Sequence, residues 1–331
     1  MLLNSEELSE LEALRLNDRT QRFLDDVING LSCSPKKLDS KYFYDETGDT
    51  LFQKIMDCPE YYVTRCEAEI FQVYAREIAV ALKDELEEFD LIELGAGDAT
   101  KTAHLLSELQ QTTRDLCYYP IDISGSIIRY LEQELPRKIP GLAVNGLHGE
   151  YLAMLKKAAR PSQRKKAVLF LGSNIGNMEP QEALKFLEKV RLCLNQGDKM
   201  LIGVDLKKNP TTVLAAYDDS PGYTKAFNLN LLKRINRELG ADFALDQFEH
   251  YPTYDPASGA CKSFLVSQRE QVVTISSDVF AFKKGEVIYM ELSQKYDLHE
   301  LRALAKAAGF EVTSEFTDSQ EWFVDAIWEC V

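Results

Sequence analysis

Between residues 89 and 206 the chain alternates short apolar runs with amphipathic stretches, and this rhythm restricts the fold more than any other feature. Residues 89–94 form an apolar run that breaks at Gly95-Ala96-Gly97, and 101–111 then repeat their apolar side chains at helical spacing. Residues 116–123 read as a strand, 126–135 as a helix stopped by Pro136, 142–147 as a weaker strand and 151–159 as a helix. Residues 167–171 are a compact buried strand, 181–194 a helix that Gly197 follows, and 200–206 the next strand. Strands alternating with helices of this length predict an α/β fold. Its parallel sheet is covered on both faces, with a ligand site beyond the carboxyl ends of the strands.

After residue 206 the rhythm changes. Residues 210–239 read as helical, and 250–290 as β-rich, with alternation in 271–275 and 279–282 and a turn at Lys283-Lys284-Gly285. Residues 299–308 form an amphipathic helix that Gly309 stops, and 310–316 with 321–328 read as a closing antiparallel pair. An excursion of roughly 90 residues is too long for a loop and predicts a second lobe inserted in the first domain. The expected division is a core of 66–207 plus 297–331 and a lobe of 13–65 plus 208–296.

Composition narrows the function classes. Hydrophobic residues are 45% and charged residues 27%, enough for a sizeable core. Lys and Arg number 38 against 53 Asp and Glu, a net charge of −15 that repels phosphate backbones and argues against a nucleic-acid partner. Seven scattered cysteines without a C-x-x-C pair fit a reducing compartment, and four histidines without ligand-like spacing predict no metal. The first ten residues carry no apolar signal core, and no run approaches the ~18 apolar residues of a membrane span. A cytoplasmic monomer acting on a small molecule, without membrane contact, is the expectation.

Chemistry concentrates where strands end. Glu93-Leu94-Gly95-Ala96-Gly97-Asp98 puts two glycines between a strand and a helix, where backbone can approach a ligand; the plain alternative is a tight turn. A dinucleotide fingerprint would want glycine at position 100, which is Thr100. Asp122 closes the next strand, where a carboxylate can bind ribose hydroxyls, and Glu150 with Tyr151 follows the third. A solvated helix-terminal charge is the alternative for Glu150. Acids after two successive strands suit a nucleoside lacking a diphosphate, which favours S-adenosylmethionine over a nicotinamide cofactor. The fourth strand ends Leu171-Gly172-Ser173-Asn174-Ile175-Gly176-Asn177, and Asn177 offers a donor and an acceptor to a carboxylate or amine, or else a helix cap.

These blocks, with Tyr42-Phe43-Tyr44-Asp45-Glu46-Thr47-Gly48, Pro59-Glu60-Tyr61-Tyr62-Val63-Thr64-Arg65, Ala216-Tyr217-Asp218-Asp219, Phe227-Asn228 and Glu291-Leu292-Ser293, resemble the histidine Nα-methyltransferase family of ergothioneine biosynthesis. The resemblance runs in order over about residues 20–331. It implies a Rossmann-like methyltransferase core with an inserted α+β substrate-binding lobe. It further implies that Gly95, Lys101, Asp122, Glu150 and Tyr151 bind S-adenosylmethionine. Tyr61, Asn177, Tyr217, Glu291 and Ser293 would bind the amino acid, with Tyr44 and the Gly172 backbone at its amine. The implied product is trimethylated histidine, hercynine. A carboxylate aimed at a ring N–H is a stringent choice, since an aliphatic side chain leaves it unpaired.

Two positions depart from the family pattern. Glu150 stands where Asp is usual, and Ser263 stands at a position that aligns with a pocket methionine, leaving room beside the ring. Another aromatic amino acid, or an amine derived from one, is therefore the alternative substrate. A donor-binding regulator without catalysis is the alternative of another class, disfavoured because a pure binder needs no amino-acid pocket. Phe52, Met56, Phe71 and Phe186 are expected in the core, residues 85–88 as a solvated helix end, and the isolated His250 as structural.

Overall fold

The computed structural model describes residues 20–83, 88–159 and 164–331; the expected lobe start at 13–19 and most of the expected helix end at 85–88 lie outside these. In chain order the elements are α1 (20–32), β1 (Lys36–Lys37), α2 (Glu46–Met56), α3 (Val63–Lys83), β2 (Glu88–Leu94), α4 (Thr102–Thr112), β3 (Asp115–Asp122) and α5 (Gly125–Lys138). There follow β4 (Ala143–Val144), β5 (Leu147–His148), α6 (Tyr151–Ala159), β6 (Lys165–Phe170), α7 (Pro180–Arg191), β7 (Lys199–Asp205), α8 (Pro210–Tyr217) and α9 (Tyr223–Leu239). The last are β8 (Phe248–Asp255), β9 (Ala260–Ser267), β10 (Gln271–Ile275), β11 (Asp278–Phe282), β12 (Val287–Gln294), α10 (Leu298–Ala307), β13 (Phe310–Thr317) and β14 (Phe323–Cys330). Two compact units emerge. The core unit holds Tyr62–Lys208, Pro256–Gly259 and Ser293–Val331; the lobe unit holds the described residues up to Tyr61, Asn209–Asp255 and Ala260–Leu292.

The core unit is built on an eight-stranded sheet of order β13-β14-β7-β6-β2-β3-β4, with β5 also pairing with β3. Strands β2, β3, β6 and β7 run parallel, whereas β14 is antiparallel to both β7 and β13. Ile92, Leu94, Val168, Phe170, Met200, Ile202, Val204, Val324, Ala326 and Trp328 face α6, α7 and α10 in one buried cluster. Alternate residues of the same strands, Glu93, Gly203, Asp205 and Asp325, face the other way. The order reverses between β2 and β6: the chain builds outward to β3 and β4, then returns to the opposite side. The loops after β2 and β6 therefore diverge and leave a crevice at the carboxyl ends, the general ligand position of such sheets.

The lobe unit has a sheet of order β1-β12-β9-β8 and a β10–β11 hairpin. Phe23, Val27 and Leu31 of α1 and Phe227, Leu231 and Ile235 of α9 cover Phe248, Leu265, Phe282 and Met290. Period-2 burial in β9 and β12 supplies this core from alternate residues.

Three elements differ from the sequence reading. Helix α5 runs through Pro136, which sits in the last turn, and Ile139 N–H still reaches the Leu135 carbonyl at 2.8 Å. The weak strand at 142–147 is two short strands separated by Asn145-Gly146. The helical stretch 210–239 is broken into α8 and α9, because Asp219 accepts the N–H groups of Tyr223 at 2.6 Å and Thr224 at 2.7 Å and starts a new helix.

Asp45 ties the tyrosine-rich segment to α9. Its carboxylate accepts the Gly48 N–H at 2.8 Å as the cap of α2, Asn230 Nδ2 at 2.8 Å and Arg237 Nη2 at 2.7 Å. Asp45→Ala is expected to destabilise the lobe unit by about 1–2 kcal/mol, the usual worth of a helix cap. Urea unfolding checks this, and an unchanged midpoint would contradict it.

Candidate active site

Gly95 begins the loop after β2. Its φ is +77°, and a Cβ there would stand 2.7 Å from the Tyr151 hydroxyl and 3.6 Å from Asn174 Nδ2. The β2 loop, the start of α6 and the β6 loop therefore converge on one backbone position that only glycine leaves open. Asp122 lies beside it, accepting the Ser124 N–H at 2.8 Å and the Gly97 N–H at 3.3 Å. The Tyr151 ring packs edge-on against Phe170 and Phe186, so it is fixed by the core and not splayed toward solvent. Burial, and then the charges of Asp122 and Glu150, raise its hydroxyl to about 12. Glu150, directly before α6, is exposed. An open glycine turn flanked by two carboxylates fits a nucleoside with ribose hydroxyls to bind. The structure brings Gly95, Asp122 and Tyr151 together.

Lys101 is placed differently from a free surface cation. Its ammonium pairs with Glu67 of α3, a residue the sequence reading did not single out. Burial works against the Lys101 charge, but Glu67 outweighs it and the pKa is raised. Glu93, on the same face, accepts from Thr102 Oγ1 at 2.8 Å and from the Tyr118 hydroxyl, and burial lifts it to about 7 against those bonds.

The β6 loop carries Gly172 at φ +71° and Ser173 at φ +56°. Glu67 Oε1 accepts the Gly172 N–H at 2.6 Å, and Ser173 Oγ accepts the Asp205 N–H at 3.1 Å. Asn177 stands exposed at the end of this loop. Asp205, fully buried at the end of β7, takes the Tyr62 hydroxyl at 2.9 Å, pairs with Lys208 and pairs with Lys295 at 2.5 Å. Lys295 in turn donates to Ser293 Oγ at 2.7 Å, so the hydroxyl oxygen of Ser293 is held by a buried ammonium. Glu67, Asp205 and Lys295 escaped the sequence reading. The signal was there for Asp205, a carboxylate closing an apolar strand, since buried charges persist only when paired.

In the lobe unit an aromatic chain joins three of the expected residues. Phe52 contacts Tyr44 at 5.5 Å and Tyr61 at 6.5 Å between centroids, and Tyr61 contacts Tyr217 at 6.3 Å. Tyr44 is 43% exposed, whereas Tyr217 is 8% exposed. Asn228 of α9 donates to Glu291 Oε1 at 3.4 Å and to the Thr224 carbonyl at 3.0 Å, so one amide aims the carboxylate. Ser263 is buried on β9 opposite Pro252, and its hydroxyl makes no hydrogen bond among the described residues.

His250 is buried on β8, and its Nε2 likewise finds no partner among the described residues. Burial depresses its pKa from the ordinary 6.5 to about 4, with Asp218 and Asp219 opposing only partly. The unfolded chain therefore binds a proton that the folded lobe refuses, and stability falls as pH drops from about 6.5 toward 4. Between pH 7 and pH 5 the lobe unit should lose about 2 kcal/mol more in the parent than in His250→Gln. Unfolding at the two pH values checks this; equal losses would contradict it.

Comparison with known proteins matches residues 23–330 to the family described as histidine-specific, S-adenosylmethionine-dependent methyltransferases. The chain is 35% identical over 295 residues to the histidine N-alpha-methyltransferase of Mycolicibacterium smegmatis, covering 88% of this chain and 90% of that one. The Mycobacterium tuberculosis protein of the same name gives the same identity and coverage. An L-tryptophan methyltransferase of Psilocybe serbica is 27% identical over 320 residues, covering 89% of each chain. With the open glycine turn and paired acids of the core unit, these matches make the chain a member of the histidine-specific methyltransferase family and an enzyme dependent on S-adenosylmethionine.

Proposed function

We propose that this enzyme methylates the α-amino group of L-histidine up to three times, giving hercynine. The observation that carries this reading is the Glu291 carboxylate held by Asn228 in the lobe unit, an acceptor suited to an imidazole N–H. The 35% identity to enzymes named for histidine supports it.

S-adenosylmethionine, when bound, supplies an electrophilic methyl group on a sulfonium. No nucleophilic side chain is needed, and the residues contribute positioning and a deprotonated amine. In this reading Gly95 gives the donor backbone access, Asp122 and Glu150 accept from its hydroxyl or adenine groups, Tyr151 walls it and Lys101 meets its carboxylate. Asn177 and the Tyr217 hydroxyl hold the α-carboxylate of the amino acid without adding charge. Tyr44 and the Gly172 carbonyl accept from the amine, which turns its lone pair outward. Tyr61, Glu291 and Ser293 read the ring. Ser263 favours a second reading: its buried hydroxyl, without a partner among the described residues, is a polar group suited to another aromatic side chain, and one relative is named for L-tryptophan.

Methyl transfer to a panel of amino acids, with product mass reporting how many methyl groups are added, decides between them. Histidine should show the highest kcat/KM and reach the trimethylated product; preference for tryptophan or tyrosine would overturn the first reading. Glu291→Ala should cost histidine roughly 2–3 kcal/mol in kcat/KM and leave tryptophan nearly unaffected. Asn177→Ala should raise KM for the amino acid by the equivalent of roughly 1–3 kcal/mol while calorimetry shows intact donor affinity; equal loss of both ligands would mark Asn177 as a structural cap.

A further inference from the structure

Glu67 has no role in the mechanism above, yet it touches two residues that do. It lies on α3 with its side chain fully buried. Its two oxygens are divided between partners: Oε1 accepts the Gly172 N–H at 2.6 Å, and Oε2 pairs with the Lys101 ammonium. Gly172 follows β6 and Lys101 opens α4 after β2, so one carboxylate spans the two strands between which the sheet order reverses.

Room for that carboxylate is made by a glycine. A Cβ at Gly203 on β7 would stand 2.3 Å from Glu67 Oε1 and 2.9 Å from Asp325 Oδ1. Asp325 is the cross-strand partner of Gly203, is fully buried, and neither of its oxygens makes a hydrogen bond among the described residues. Burial first, then Glu67, push Asp325 well above the usual carboxylate range, with Lys101 opposing. Of these two neighbouring carboxyl groups, Glu67 is the one that the Lys101 ammonium pairs with. A helix needs no such arrangement merely to dock, since apolar side chains of equal volume would hold α3 at least as well.

We propose that Glu67 is a positioning residue that couples the donor-binding loop to the amine-binding backbone, fixing the Lys101 ammonium and the direction in which Gly172 leaves its strand. This rests on the assignment of Lys101 to the donor and of Gly172 to the amine. Removing the charge frees Lys101 from its partner and loosens Gly172 together, so donor affinity and the chemical step should fall in one variant. A purely structural Glu67 would instead lower the melting temperature and leave both constants of the folded protein unchanged.

The test uses the full chain with S-adenosylmethionine and histidine. Glu67→Gln should weaken donor affinity by about three- to tenfold and lower kcat by about tenfold or more, with KM for histidine changed less than kcat. If donor affinity and kcat both stay within about twofold of the parent, the coupling is overturned. Should Glu67→Gln fail to fold, Glu67→Asp carries the same readout: it keeps the charge, shortens the reach, and should retain more donor affinity than kcat. Lys101→Met separates this inference from the reading beneath it. Unchanged donor affinity in Lys101→Met removes Lys101 from the donor site. Weakened affinity there, beside parental constants in Glu67→Gln, overturns the coupling alone.

Discussion

Everything in the core unit depends on the reversal of strand order between β2 and β6. Adjacent parallel strands whose connections leave in opposite directions cannot be closed over at their carboxyl ends by the same loops. The backbone must turn sharply on both sides of the gap, and it does so at Gly95 and Gly172, both in the left-handed region. Those turns leave the strand ladders, the Gly95 N–H going to the Ile121 carbonyl and the Gly172 N–H to Glu67. The opening is thus a by-product of topology, and the side chains lining it decide what it accepts.

The same opening explains the unusual burial of charge beneath it. Glu67, Asp205 and Asp325 are each fully buried on the face opposite the α6–α7–α10 cluster. An unpaired ion there would cost several kcal/mol. The chain meets these cases in two ways. Asp205 is paired with Lys208 and Lys295 and Glu67 with Lys101, whereas burial pushes the Asp325 carboxyl well above the usual carboxylate range. Each of these ion pairs also fixes a further group: Lys295 holds the Ser293 hydroxyl, and Glu67 holds the Gly172 amide in the loop after β6. Rigidity at the site and stability of the sheet are therefore one network in this unit.

The parallel strands were legible because burial on both faces makes them continuous apolar runs, as in β6 and β7. The short β4 and β5 read as one weak strand at 142–147, because two residues carry no period that would separate them. Gly95 and Asp122 could be found from strand ends alone, where polar residues interrupt such runs. Tyr44, Tyr61, Tyr217 and Glu291 were accessible only through the family resemblance, since their placement depends on an aromatic chain and an Asn228 bond between residues far apart in sequence. Glu67 was invisible for a related reason. On an amphipathic helix one glutamate reads as surface, and its burial follows from Gly203 and Asp325, which come much later in the chain.

Strand β14 carries Asp325 and lies between β13 and β7 in the interior of the sheet. It pairs with a strand that ends roughly 120 residues earlier, with most of the lobe unit intervening, so this ladder has high contact order. During synthesis the flank of β7 must wait as an open edge while that intervening stretch is made. A nascent chain held at this stage presents an unpaired apolar strand to its surroundings, the situation in which chaperones act and misassembly begins.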